Sequence, residues 1–254
     1  SHTQLLVLCP TRLEVICNII NCVAESEAYS SVAFALSDQW LAFADSHLSR
    51  EILSIGGDIS ESNSVPYAVR LLSVKKMVIS SLGSGDSVKD VSSEEQTIGV
   101  ITIIDLSQLL DWRQNSHSID FDSHSHTNVV VAHFIAHLWT RISKIVFDTT
   151  GTILLTTCNQ GLFCHLFRIA PHPTSSKQSA VLHLYRLKRG DTTCSILSMA
   201  ISKDGRLASA SSNHGTVHIW PISSYGGPLC VRTHCQRHVV NRLSRLERSA
   251  GLQE

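Results

Sequence analysis

Hydrophobic and polar positions alternate along much of the chain, and the alternation comes in units that repeat. Ile142-Ser143-Lys144-Ile145-Val146-Phe147 runs into Asp148-Thr149-Thr150-Gly151, and Ile196-Leu197-Ser198-Met199-Ala200-Ile201 runs into Ser202-Lys203-Asp204-Gly205. Alternation with period two buries one face of a strand, and a closing glycine supplies the positive φ that such turns need. A second strand follows each turn, Thr152 to Cys158 in one unit and Arg206 to Ser211 in the other. Next comes a tight turn, Asn159-Gln160-Gly161 against Asn213-His214-Gly215. A third strand then ends in His165-Leu166-Phe167 or His218-Ile219-Trp220. The closing glycines are offset by 54 residues and the triplets by 53. A weaker third copy runs from Ser31 to Asp38 and from Trp40 to Asp45.

Strand, turn, strand, glycine turn and a strand ending in an aromatic is the pattern of WD-type propeller blades. Such blades are four-stranded and repeat at about 40–45 residues. The extra length is expected in Ala170 to Ala180, a Pro/Ser-rich loop between blades. Ala136-His137 stands where these blades often carry Gly-His, and the Trp-Asp pair is missing, which marks divergent blades. From about residue 50 to residue 97 the alternation fails, which predicts a long loop or inserted segment, with a helix over Val65 to Leu82. Gly99 to Leu106 resumes as a buried strand, His117 to Asn128 reads as a polar loop, and Val129 to His133 as the start of the next blade. Val239, Leu243 and Leu246 recur at helical spacing, so His238 to Leu252 reads as a short helix.

The expected organisation is all-β: residues 1–228 form part of a WD-type β-propeller with long inter-strand loops, and 229–254 form a basic C-terminal extension. The chain opens with Ser1 rather than Met. A fragment with an incomplete ring and unpaired strand edges is therefore expected.

Composition agrees with a packed domain. The 254 residues are 43% hydrophobic and 17% charged, with a mean hydropathy of +0.09. That supplies a sizeable core and excludes wholesale disorder. No apolar run approaches the ~20 residues of a membrane-spanning helix. Net charge is zero, yet residues 1–133 carry 7 Lys/Arg against 16 Asp/Glu, and residues 134–254 carry 14 against 5. A basic second half suits an anionic partner or an acidic first half. Nucleic acid is not the expected partner, because aromatics are not interleaved with the basic residues. The eight cysteines show no secreted-scaffold spacing and read as reduced, mostly buried thiols. No Gly-x-Ser-x-Gly elbow, Cys/His dyad or paired carboxylates appear, so no enzyme and no cofactor is expected.

Two segments go beyond a generic propeller. Leu184-Tyr185-Arg186-Leu187-Lys188-Arg189-Gly190-Asp191 resembles the Phe/Leu-Arg-Arg-Gly motif of the PROPPINs, the phosphoinositide-binding propellers of autophagy. Ser211-Ser212-Asn213-His214-Gly215-Thr216-Val217-His218-Ile219-Trp220 is similar to the strand pair that follows that motif. Gly99 to Asp105, Val131 to His137, Pro221 to Gly227 and Val239 to Arg245 narrow the match. They resemble the breast-carcinoma-amplified sequence 3 family, also called microtubule-associated cell migration factor. The resemblance implies a cytoplasmic, non-enzymatic protein that is peripheral to autophagosomal membranes and binds phosphatidylinositol phosphates. It also implies recruitment to the phagophore assembly site with a phagophore-associated partner protein and a role in the response to starvation. Nuclear or cytoskeletal location is the second expectation, and a protein-interaction scaffold without lipid binding is the alternative function.

In the resembled PROPPINs two adjacent arginines enter two pockets on opposite sides of their strand, as strand alternation allows. Arg189 matches the second arginine, while Lys188 replaces the first and lacks the planar fork that grips phosphate. The first pocket also loses hydroxyls, since Cys158-Asn159-Gln160-Gly161-Leu162 stands where the PROPPIN pattern has Ser-x-x-Gly-Thr. The resemblance implies one competent headgroup pocket built from Arg189, Lys188, Gly190, Ser212, Thr216 and His218. The competing reading makes Lys188 and Arg189 ordinary exposed residues at a blade edge. Two clusters carry metal-ligand residue types, His117/Asp120/Asp122/His124/His126 and Cys230/His234/Cys235/His238. The first reads as a solvated loop and the second is too crowded on one turn, so no metal site is expected.

Overall fold

The computed structural model describes residues 3–24, 31–58, 99–116, 118–138, 140–229 and 234. Its strands are β1 (Thr3–Leu8), β2 (Val15–Cys22), β3 (Phe34–Leu36), β4 (Trp40–Asp45), β5 (Ile55–Gly56), β6 (Gly99–Asp105), β7 (Asp120–Phe121) and β8 (Val130–His137). They continue with β9 (Ile142–Phe147), β10 (Ile153–Cys158), β11 (Phe163–Ala170), β12 (Ala180–Lys188), β13 (Ile196–Ile201), β14 (Leu207–Ser212) and β15 (Val217–Pro221). One helix, α1 (Leu106–Asn115), follows β6.

These elements make an all-β propeller whose ring the described residues do not close. Strands β3, β4, β6 and β8 pair antiparallel as a first blade, and β9 to β12 as a second. Strands β13 to β15 form a three-stranded sheet, and β1–β2 a hairpin beside the first blade. The repeated units fall on matching strands: His165 pairs with Thr156 in the second blade, and His218 with Ala210 in the third sheet. The matching turn glycines Gly161 and Gly215 both adopt positive φ, +62° and +75°.

Strands in the middle of a blade are buried on both faces, because each blade lies between two neighbours. All six residues of β4 and of β10 are buried. Their alternation divides the side chains between separate cores. Leu154, Phe167 and Ile169 pack with Ala42, Ile101, Ile103 and Phe134 of the first blade. Ile153, Leu155, Cys164 and Leu166 pack instead with Ile196, Met199, Ala208 and Ala210 of the third sheet. A third core joins Cys17 and Ile19 of β2 to Leu41, Phe43 and Ile104. At roughly 25 cal/mol per Å² of buried apolar surface, these contacts between blades are the main driving force of the fold.

Several boundaries differ from the sequence expectation. Val129 to His133 does not open a new blade: β8 is the fourth strand of the first blade, buried along almost its whole length, so no alternation marks its role. The Ala170 to Ala180 loop lies inside the second blade, between β11 and β12, rather than between blades. The buried strand ends at Asp105, where the carboxylate caps α1 by accepting from the amides of Ser107 (2.8 Å) and Gln108 (3.2 Å). The Val65 to Leu82 helix and the 229–254 extension lie outside the described residues, save for 229 itself and His234.

The stretch from residue 50 does not begin as free loop. Residues 54–58 cross between the outer edges of two blades, and β5 pairs parallel with β12. The Ser54 and Asp58 amides donate to the carbonyls of His133 (2.8 Å) and Ile135 (2.7 Å), while the Gly57 amide donates to Val181 (3.0 Å). Two glycines make this approach possible. A Cβ on Gly56 would lie 2.0 Å from the Val181 carbonyl oxygen, and one on Gly57 2.6 Å from that of Ile135, both at positive φ.

Burial on both faces also traps polar side chains, which must satisfy one another. Asp45, 1% exposed, sits at the end of β4. Its carboxylate accepts from Asn21 Nδ2 (2.9 Å), Thr102 Oγ1 (2.5 Å) and the His47 amide (3.1 Å), with His124 Nε2 3.1 Å away. The Ser49 amide donates to His133 Nε2 (2.9 Å), so that ring carries its proton on Nδ1 and donates it to Thr102 Oγ1 (2.8 Å). Burial alone would raise the Asp45 carboxyl, but the His124 hydrogen bond, the nearby imidazoles and Thr102 hold it below its ordinary value. The hydrogen bond to Asp45 raises His124, whereas burial pushes His133 down to about 4. At the end of β8, burial pushes His137, which is 3.0 Å from Thr156 Oγ1 of the second blade, down to about 3.

Two expectations follow from this packing. Gly215→Ala meets no neighbour within 4 Å and bears only the cost of its backbone angle, about 1–2 kcal/mol. Gly56→Ala must also displace β5 from β12, so its melting temperature should fall further than that of Gly215→Ala; an equal or smaller fall counts against the clamp. The second expectation concerns pH. Histidines with lowered values contribute stability that is present above the ordinary value of about 6.5 and lost as the unfolded chain takes up protons below it. For His133 and His137 this loss runs from about pH 6.5 down to about 4 and about 3 respectively. Each contributes up to about 1.4 kcal/mol per pH unit within its window. His124 works in the opposite sense, since its contribution is full below about 6.5 and fades as pH rises through its raised value. Urea unfolding between pH 7.5 and 4.5 should show a midpoint that falls once the pH drops below about 6.5, and a flat profile below that point would reject neutral buried imidazoles.

Candidate functional site

Lys188, Arg189 and Gly190 end β12 and begin the connector that leads to β13. This places them at the rim, between the β10–β11 turn of the second blade and the β14–β15 turn of the third sheet. The connector is bonded to both turns. The Cys194 amide donates to the Gln160 carbonyl (3.0 Å), the Ser195 amide to Asn213 Oδ1 (3.2 Å), and the Asn213 amide to the Ser195 carbonyl (3.0 Å). Trp220 Nε1 adds a bond to the Lys188 carbonyl (3.2 Å).

The two cations have different surroundings. Lys188 is 58% exposed and pairs with Asp191, Nζ to Oδ1 2.5 Å. Arg189 is half-buried; its Nε donates to the Gly161 carbonyl (2.8 Å) and its Nη2 to that of Thr192. The expectation of an ordinary exposed cation is corrected for Arg189, whose guanidinium spans from the connector to the second-blade turn. Gly190 is not required by packing, since a Cβ there would meet nothing within 4 Å.

Ser212, Thr216 and His218 come together on the third sheet. Ser212 Oγ lies 2.8 Å from Thr216 Oγ1, which lies 3.3 Å from His218 Nε2. The imidazole in turn stacks on Trp220, with centroids 5.8 Å apart and planes 17° apart. Arg189 makes no hydrogen bond to any of these three; its contacts are to Gly161 and Thr192. The six residues therefore form two groups along one rim, a cationic group on the connector and a hydroxyl–imidazole group on the adjacent sheet.

Among the described residues, the first of the clusters with metal-ligand residue types does not converge. Asp120 accepts from Asn18 Nδ2 (2.8 Å), Asp122 from Ser125 Oγ (2.8 Å), His124 faces Asp45, and His126 stacks on Phe121 at 5.5 Å. His117, Cys230, Cys235 and His238 lie outside the described residues, and His234 Nε2 donates to the Arg206 carbonyl (3.2 Å). Another group does converge: Asp58, His165 and His183 bring one ligand atom each within 4.8 Å of one another. Sequence reasoning missed it because the three residues come from distant segments with no local spacing. The six described cysteines are free thiols, five of them buried; burial pushes Cys17 and Cys22 up to about 12 and Cys164 up to about 11, which makes these three poor nucleophiles.

Comparison with known proteins gives this geometry a setting. A family model described as BCAS3, WD40 repeat, matches residues 4–252. The chain is 35% identical over 279 residues to the Breast carcinoma-amplified sequence 3 homolog of Drosophila melanogaster, covering 99% of this chain and 24% of that protein. It is 37% identical over 97 residues to Autophagy-related protein 18f of Arabidopsis thaliana, covering 37% of this chain and 13% of that protein. It is also 37% identical over 84 residues to WD repeat domain phosphoinositide-interacting protein 2 of Gallus gallus, covering 33% and 17%. The chain thus spans about a quarter of the fly relative's length and less of the other two.

The different roles of the two cations should appear in stability. Arg189→Ala removes a charged donor from two backbone carbonyls, a loss of roughly 1.5–3 kcal/mol. Lys188→Ala removes an exposed ion pair and should stay within about 0.5 kcal/mol of the parent. Chemical denaturation of the two variants tests this ordering; equal midpoints would mean that Arg189 does not tether the connector.

Proposed function

Because the chain belongs to the BCAS3 WD40-repeat family, we propose that it is a non-enzymatic propeller that binds phosphatidylinositol phosphates at its rim and scaffolds recruitment to forming autophagosomal membranes. The observation that carries this reading is the rim arrangement of Lys188, Arg189 and Gly190 beside Ser212, Thr216 and His218. A guanidinium has five N–H donors. Two of those on Arg189 hold the Gly161 and Thr192 carbonyls, which fixes the plane of the group and leaves three for a phosphate. Preorganisation of this kind lowers the entropy lost on binding. Lys188 is free to exchange Asp191 for a phosphate at little cost, since that pair is exposed. The open space over Gly190 admits a headgroup without a side-chain clash.

The excess of positive charge in residues 134–254 supports attraction to an anionic membrane surface. The names of the Arabidopsis and chicken relatives, one autophagy-related and one phosphoinositide-interacting, support the same reading. It assigns the protein to the cytoplasm, peripheral to the phagophore, alongside a phagophore-associated partner protein. A protein scaffold without lipid binding is the alternative.

Liposome sedimentation tests the proposal. Vesicles carrying phosphatidylinositol phosphates should pellet the chain better than phosphatidylserine vesicles of equal charge. Arg189→Ala should lose binding by more than Lys188→Ala. Thr216→Ala, which leaves the connector untouched, should weaken binding about 2- to 10-fold, the loss of one hydrogen bond. Added salt should weaken every variant, because part of the attraction is screened. If phosphoinositide and phosphatidylserine vesicles pellet the chain equally, lipid recognition fails and the scaffold reading takes its place.

A further inference from the structure

We propose that Asp58, His165 and His183 bind a divalent transition-metal ion, zinc before others, which pins the segment following β5 to the second blade. Two imidazoles and a carboxylate are a donor set that suits zinc, with a fourth position left for water. Asp58 and His165 are 6% and 5% exposed. His165 Nδ1 and His183 Nε2 are buried and have no hydrogen-bond partner. Orphaned nitrogens of this kind are rare in folded proteins and ask for an explanation. His165 Nδ1 lies 3.5 Å from Asp58 Oδ2, too far for a good hydrogen bond but close to the edge of a zinc tetrahedron, about 3.3 Å for bonds near 2 Å.

The surroundings are those of a ligand set. Burial pushes His183 down to about 4, opposed by a hydrogen bond to the Tyr185 backbone, and lowers His165 as well. Both rings are thus neutral at physiological pH, as ligation requires. The Tyr185 bond occupies the other nitrogen of His183 and leaves Nε2 with its lone pair, the arrangement common around metal-bound imidazoles. The rings of His165 and His183 are stacked, with centroids 4.9 Å apart and planes 12° apart. Metal binding therefore tilts His183, the least buried of the three, until both lone pairs meet. Arg186, whose guanidinium lies 3.8 Å over the Phe163 ring, is an opposing cation in range, and the Asp58 carboxylate offsets it.

Asp58 reaches this position only because Gly56 and Gly57 let the backbone pass against Val181 and Ile135. The site joins an insertion of the first blade to two strands of the second, so binding would be coupled to docking of that insertion.

The test uses the whole 254-residue chain. Chelator-treated protein is titrated with Zn²⁺, the bound metal is counted after gel filtration, and Co²⁺ serves as a spectroscopic probe. One equivalent per chain, a higher melting temperature with zinc and a cobalt spectrum without a thiolate charge-transfer band are expected. Asp58→Asn and His183→Gln, which keep side-chain volume, should each lose that equivalent, while His214→Gln keeps it. Failure to bind zinc, a thiolate band pointing to Cys230 and Cys235, or full binding by Asp58→Asn would overturn the proposal. Should the variants not fold, the metal count and cobalt spectrum of the parent chain decide between the same outcomes.

Discussion

Each blade must be covered on two faces, and that constraint organises the molecule. A sheet with one buried face can present polar residues to water on the other; β4 and β10 cannot, because a neighbouring blade lies on each side. Their side chains therefore divide by parity, Leu154 toward one core and Leu155 toward another. A shift of register by one residue would exchange the two sets and mismatch both interfaces at once. Extra chain length is excluded from the strands and collects in their connections, as in the segments before β6 and between β11 and β12. Polar groups that remain inside gather into networks, as Asp45 does with donors from β2, β6 and the loop before β8.

This constraint also decides how much of the fold was legible in the sequence. The second blade and third sheet show their strands because polar turns with glycines punctuate them, and the strand ends predicted at Cys158 and Ser211 fall within a residue of those observed. Strand β8 gave no such signal. Its residues are almost all buried, so Val130 to His137 carries a continuous apolar and small pattern that does not distinguish the last strand of one blade from the first of the next. Helix α1 escaped because its cap, Asp105, is also the last residue of a strand. Strand β5 is two residues long and owes its pairing to the backbone of β12, a partner that local pattern cannot reveal.

The candidate rim site was legible as a motif but not as a set of contacts. Lys188 and Arg189 are adjacent in sequence, and they differ in contacts, one paired with Asp191 and the other bonded to backbone carbonyls. That Arg189 reaches Gly161, a residue of the preceding turn, depends on where two connections meet in space. The buried group of Asp58, His165 and His183 depends still more on tertiary structure. His165 appears in the sequence only as the first member of a repeated triplet, and Asp58 only as a charge after two glycines.

The connector between β12 and β13 has a mechanical consequence. At its β12 end Gly161 holds the Arg189 side chain and Trp220 grips the Lys188 carbonyl, and at its β13 end Gln160 holds Cys194 and Asn213 holds Ser195. It therefore works as a calliper set across the gap between two sheets. Any change in the angle between those sheets alters the jaw in which Arg189 sits, and anything clasped at the jaw resists that change. The rim is thus a place where the curvature of the propeller and the occupancy of its surface are read on the same scale.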